Sequence, residues 1–138
     1  FYDLVFVDTA PGMNEISMKI LEKSDIVVIN LNQNIQVIED YLSNCLGINE
    51  NLFFILGKYD SDSKFNLKAI KKRFGISDIY TIPYDIGFAD ACSESRAVDF
   101  FIRNAEADKF DVHYPFISGV KETAEAIINR IGIAEKRA

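Results

Sequence analysis

Tyr2-Asp3-Leu4-Val5-Phe6-Val7-Asp8-Thr9-Ala10-Pro11-Gly12 passes from a short apolar run into a carboxylate and then a Thr-Ala-Pro-Gly turn. The unbroken Leu4–Val7 run predicts a buried strand over 3–7, with Asp8 at its carboxyl end. Working outward, three more short apolar runs predict strands over 26–31, 52–56 and 79–82. Apolar residues three or four apart predict helices between them, over 14–23, 34–46 and 65–74. In the third, Phe65, Ala69, Ile70 and Phe74 share one side, and Gly75 follows where a left-handed residue ends a helix. This alternation is the pattern of a mostly parallel sheet with helices on both faces, so the expected fold class is α/β with three layers.

Beyond Ile82-Pro83-Tyr84-Asp85 the pattern predicts helices over 87–94 and 96–103 and an acidic surface loop over 104–113. A last helix is expected over 115–131, where Ile117, Val120, Ala124, Ile127 and Ile131 recur and Gly132 ends the pattern. At 138 residues and 49% hydrophobic the chain fits one compact domain. A net charge of −6 opposes sequence-independent nucleic-acid binding, which needs an electropositive footprint. Cys45, Cys92 and the lone His113 match no common metal-ligand spacing, and both cysteines read as small buried thiols in a reducing cytosol. No apolar run exceeds five residues, against the ~18 that span a bilayer.

A strand ending in Asp and followed by a Gly-containing loop is the layout by which nucleotide hydrolases hold magnesium and sense the terminal phosphate. The phosphate-cradling loop G-x-x-x-x-G-K-[ST] needs two glycines five apart. The glycines stand at 12, 47, 57, 75, 87, 119 and 132, so no such pair exists. The one Gly-Lys, Gly57-Lys58, is followed by Tyr59. Half of a nucleotide site is therefore expected here, and a start at Phe1 on a buried-looking strand reads as the carboxyl-terminal part of a longer ATPase domain.

Four features recur in a fixed order: the Asp8-Thr9-Ala10-Pro11-Gly12 turn, the Ser24–Asn30 strand, the Leu56-Gly57-Lys58-Tyr59-Asp60 strand end and the Ile82-Pro83-Tyr84-Asp85 turn. In that order they resemble the second half of the MinD/ParA deviant-Walker P-loop ATPases, and most of all the CpaE/TadZ branch associated with polar localisation and pilus assembly. The resemblance extends to about Asn104. It implies ATP and magnesium as cofactors, with Asp8 as the catalytic carboxylate that holds magnesium through water. Thr9, Pro11 and Gly12 would form the turn that reads the γ-phosphate, and Lys58, Pro83, Tyr84 and Asp85 the base-side contacts. It further implies an ATP-promoted homodimer released by hydrolysis, and protein partners in a localisation or secretion/pilus apparatus. No specific nucleic acid and no transmembrane segment are expected, and the location is cytoplasmic, extending to peripheral contact at the inner membrane face.

Each assignment has a structural alternative. Asp8 can cap the helix starting near Asn14, and Pro83-Tyr84-Asp85 can be a stiff turn leaving a parallel strand. Gly57 stands where many relatives carry an Asn that contacts adenine, and glycine offers a base only its backbone. Ser93-Glu94-Ser95 replaces a Gly-containing turn of relatives. Lys64, Lys68, Lys71 and Lys72 form either an anion-binding or a solvated face, and His113-Tyr114-Pro115 marks entry to the last helix. Lys121, Glu122, Glu125 and Arg130 give that helix a mixed polar side, suited to docking on the sheet rather than to a membrane surface. The rival reading is a non-catalytic, partner-binding scaffold with a decayed nucleotide site. In the resembled topology the P-loop strand lies between strands 3–7 and 26–31, so these two should not pair and a one-strand gap should separate them.

Overall fold

The computed structural model describes residues 3–9, 14–45, 47 and 50–137. In chain order the elements are α1 (Glu15–Lys23), β1 (Val27–Leu31), α2 (Ile35–Cys45), β2 (Leu52–Tyr59), α3 (Leu67–Phe74), β3 (Ile79–Pro83), α4 (Ile86–Ser93), α5 (Ala97–Asn104) and α6 (Tyr114–Arg137). The strands form one parallel sheet in the order β1-β2-β3, so the fold is α/β.

Polar caps fix where the helices begin. Asn14 accepts from Ser17 N at 2.8 Å ahead of α1, and Asn66 accepts from Ala69 N at 3.2 Å ahead of α3. Asn34 Oδ1 accepts from Gln36 N and Val37 N at 3.0 and 3.3 Å at the start of α2. Gly75, in the left-handed region, closes α3 and donates to Lys71 O.

Register decides the core. Ile29 pairs with Phe54, Leu31 with Leu56 and Phe54 with Ile79, which places these side chains on one face of the sheet. There they pack with Ile38 and Leu42 of α2 and Ile70 of α3, and Leu21 of α1 leans on the same cluster. On the other face Phe53 stacks on Tyr80, and Ile82 packs against Phe116 and Ile117 of α6 together with Phe100 of α5. The central strand is covered on both sides, so Phe53, Phe54, Ile55 and Leu56 are all buried. That explains its continuous apolar run.

Helix α6 can lie this close because of Gly119. A Cβ there would stand 2.8 Å from Thr81 O and 3.1 Å from Pro83 Cδ. At the amino edge of the sheet Arg130 pairs with Asp78, donates to Asn51 Oδ1 at 3.2 Å and covers the Phe53 ring.

Three expectations are corrected. Residues 3–7 are not a strand: they pair with no strand of the described sheet, and Val5 and Phe6 are 67% and 75% exposed. A strand is stabilised by its ladder and by the layers above and below it, and apolar content alone supplies neither. Gly132 does not end the last helix, which continues to Arg137. One glycine costs a helix only about 1 kcal/mol, and the packed stretch before it outweighs that. Cys92 is exposed rather than buried. The expectations for Ala10, Pro11, Gly12 and the Cys45 side chain lie outside what the structure describes.

Candidate functional site at the carboxyl edge of the sheet

The carboxyl ends of parallel strands are where α/β sheets bind ligands, because helix amino termini and loops converge there. Here that edge is built from residues 30–34 at the end of β1, 57–60 at the end of β2 and 83–85 at the end of β3. Gln33 fastens the first two together. Its amide donates to Asp60 O at 2.9 Å and Phe65 O at 3.1 Å, while its Oε1 accepts from Asp60 N at 2.7 Å. The second and third are joined by the pairing of Tyr59 with Pro83 and by Tyr84 N donating to Tyr59 O at 3.4 Å. Tyr59 in turn accepts from Leu67 N through its hydroxyl at 3.0 Å, which fixes the start of α3.

Four of the expected site residues meet at this edge. Lys58 adopts a left-handed backbone, φ 51°, at an irregularity between Leu56 and Tyr59, a conformation that costs a non-glycine residue about 1–2 kcal/mol. Its side chain is exposed and has no ion pair among the described residues. Tyr84 is 55% exposed, with its ring available to a planar ligand. Pro83 ends β3.

Asp85 is committed elsewhere. Its Oδ1 accepts from Phe88 N at 2.8 Å, capping α4, and its Oδ2 meets His113 Nδ1 at 2.8 Å, with the Asp85 side chain only 7% exposed. With a carboxylate as its partner, His113 Nδ1 is the donor of this contact. The ring is held further by the Phe100 ring, edge-on at 5.0 Å, and by Gly87, where a Cβ would stand 2.6 Å from His113 Cε1. His113 lines a cavity of about 400 Å³ between α4 and α5, along with Asp90, Asp99 and Arg103. Asp85 and His113 lie 28 residues apart, so no local pattern pairs them.

If this pair tethers the β3–α4 turn to α6, His113→Ala should cost about 1 kcal/mol and Asp85→Ala about 2, the second losing a cap as well. Urea unfolding of both single variants and the double variant checks this. Additive losses would mean the two side chains do not interact in solution.

Asp8 and Thr9 stand apart from this group. They line a slot of about 510 Å³ with residues 3–7, Ser24–Val28, Ile20 and Leu21 of α1, and Ile127 and Ile131 of α6, a set that includes none of Lys58, Pro83, Tyr84 and Asp85. Asp8 is exposed, and no three His, Cys, Asp or Glu side chains converge on a metal among the described residues. Magnesium is commonly held by one or two carboxylates together with waters and substrate phosphates, so one open carboxylate suits it. Between α4 and α5, Ser95 takes φ 58°, the conformation glycine adopts at lowest cost, and Glu94 pairs with Arg96 beside it. Lys68 and Lys72 are exposed on α3, while Lys64 lies over the Phe65 ring.

Comparison with protein-family models, with curated proteins and with solved structures found no match for this chain. Among the described residues no helix is long and apolar enough to cross a membrane.

Proposed function

We propose that this chain forms the nucleotide-facing part of a dimerising P-loop ATPase of the MinD/ParA type, of the CpaE/TadZ kind, serving localisation or pilus assembly. The observation that carries the reading is the slot beside β1. That strand is an edge of the described sheet, and beside it the slot of about 510 Å³ is lined by Ile20 and Leu21 of α1, Ile127 and Ile131 of α6, and residues 3–9. An added parallel strand takes up about 4.8 Å of sheet width, and a strand bearing a phosphate-binding loop is the one the resemblance calls for.

In this reading Asp8 would hold magnesium and Tyr84 would offer its ring to the base. Lys58, exposed near the end of β2, would offer its ammonium on the same side. Magnesium supplies neutralisation of phosphate charge during transfer. Asp85 keeps the turn beneath Tyr84 in place and does not itself contact the base. The rival, a partner-binding scaffold, draws support from the commitment of both Asp85 oxygens and from the missing side chain at Gly57.

Titration calorimetry separates the two. Residues 1–138 should show no micromolar affinity for Mg-ATP, because they hold no loop that cradles phosphates. The longest natural chain containing them should bind it, and Tyr84→Ala in that chain should weaken binding about tenfold, as loss of a stacking partner does. Micromolar binding by residues 1–138 alone would place the phosphate site within them. No binding by the longer chain would favour the scaffold.

A further inference from the structure

The loop ahead of α6 holds large apolar side chains in solvent. Phe110 is 92% exposed and Val112 82%, yet the backbone that carries them is tied down. Asp108 Oδ1 accepts from Phe110 N and Asp111 Oδ1 from His113 N, each at 2.8 Å. Asp111 N donates to Asp108 O at 2.9 Å, and Tyr114 N to Asp111 O at 3.1 Å. Just before this loop, Val98 and Ile102 of α5 face outward, each 71% exposed, while Phe100 between them is buried. Single exposed apolar side chains need no explanation. Four within residues 98–112, two of them on a fixed turn, make a pre-organised surface for a partner to cover.

Charge sets the sign of that partner. Asp99, Glu106, Asp108 and Asp111 stand exposed among these side chains, against Arg103 and Lys109, and none of the six forms an ion pair among the described residues. The complementary surface is on the same chain. Residues 64–73 hold five basic residues and no acidic one, in a chain of net charge −6. Arg73 is paired with Glu39, whereas Lys64, Lys68, Lys71 and Lys72 have no ion pair among the described residues, and Lys68 and Lys72 stand exposed one turn apart on α3. A lysine stem is apolar as far as its ammonium, and Lys64 already lies over the Phe65 ring, 5.0 Å from its centroid. This face therefore offers apolar contact as well as positive charge.

The two surfaces lie in opposite layers of one copy, since α3 packs through Ile70 on one face of the sheet and α5 through Phe100 on the other. We infer that the basic α3 face docks on the acidic, apolar 98–112 surface of a second copy, with Phe110 as the anchor. Contact between two different surfaces is heterologous. Each docked pair keeps one surface of each kind free, and association continues head to tail until a ring closes or a filament forms. The inference is independent of the nucleotide reading.

Sedimentation velocity of the longest natural chain containing residues 1–138, without nucleotide, tests it. At about 0.05 M salt the mean mass should rise with protein concentration, and at about 0.5 M it should fall back toward the monomer as the charges are screened. Lys68→Glu with Lys72→Glu removes the basic surface, and Asp99→Lys with Glu106→Lys removes the acidic one; each double variant alone should associate at least about tenfold more weakly. Mixed in equal amounts, the two should associate again, because the unaltered α3 of one meets the unaltered 98–112 surface of the other. Phe110→Ser leaves every charge in place and should weaken association about tenfold as well. Three results would overturn the inference: a mass that does not change with concentration in the unsubstituted chain, association that either charge variant or Phe110→Ser leaves unaffected, or no recovery in the mixture at unaltered unfolding temperature.

Discussion

Asp8→Asn in the longest natural chain containing this sequence is expected to lower ATP hydrolysis about 100-fold, equivalent to about 2.7 kcal/mol of transition-state stabilisation. The substitution keeps size and hydrogen-bonding shape and removes the charge that, in the proposed site, would hold magnesium. Because Asp8 is exposed and lines the slot, the fold should survive nearly unchanged, and circular dichroism and the unfolding midpoint should match the parent. Steady-state phosphate release provides the measurement. Turnover within about threefold of the parent, roughly 0.65 kcal/mol, would make Asp8 a turn residue and nothing more.

Gly119→Leu should be strongly destabilising, at about 3 kcal/mol. The atoms a Cβ would meet at 2.8 and 3.5 Å are Thr81 O and Ile82 Cα, backbone of a paired strand, and the third, Pro83 Cδ at 3.1 Å, belongs to a rigid ring. None of them can swing aside, so α6 must move off β3 and open the Phe116–Ile117 cluster. Gly132→Ala provides the contrast within the same helix. No atom lies within 4 Å of its added Cβ, and replacing a mid-helix glycine should stabilise by about 1 kcal/mol. Chemical denaturation of both variants checks the pair, and equal effects of one sign would show that the approach of α6 to β3 is not what sets the cost.

What was legible in the residues was what depends on near neighbours. The three paired strands announced themselves as apolar runs between turn formers, whereas the caps Asn14, Asn66 and Asp85 emerge only in the structure. The parallel α/β character followed from the alternation of runs and amphipathic stretches. Leu4–Val7 shows the limit of that reasoning. Its composition is as strand-like as that of Val27–Leu31, yet the first lies exposed and the second pairs with β2, because pairing is a property of what stands alongside. The site was legible in the same proportion. Lys58, Pro83 and Tyr84 do meet at one edge, whereas the Asp85–His113 pair and the Gln33 bridge both join residues 27 or more positions apart. No local pattern encodes such distances.

The Gln33 bridge carries one more implication. One side chain, with three hydrogen bonds, binds the turn after β1 to both ends of the turn between β2 and α3. Rotating that amide out would unpair three backbone groups at once, so neither turn can swing without carrying the other. The turn after β1 and the turn between β2 and α3 are accordingly coupled through one side chain, so that Gln33→Ala loosens both together.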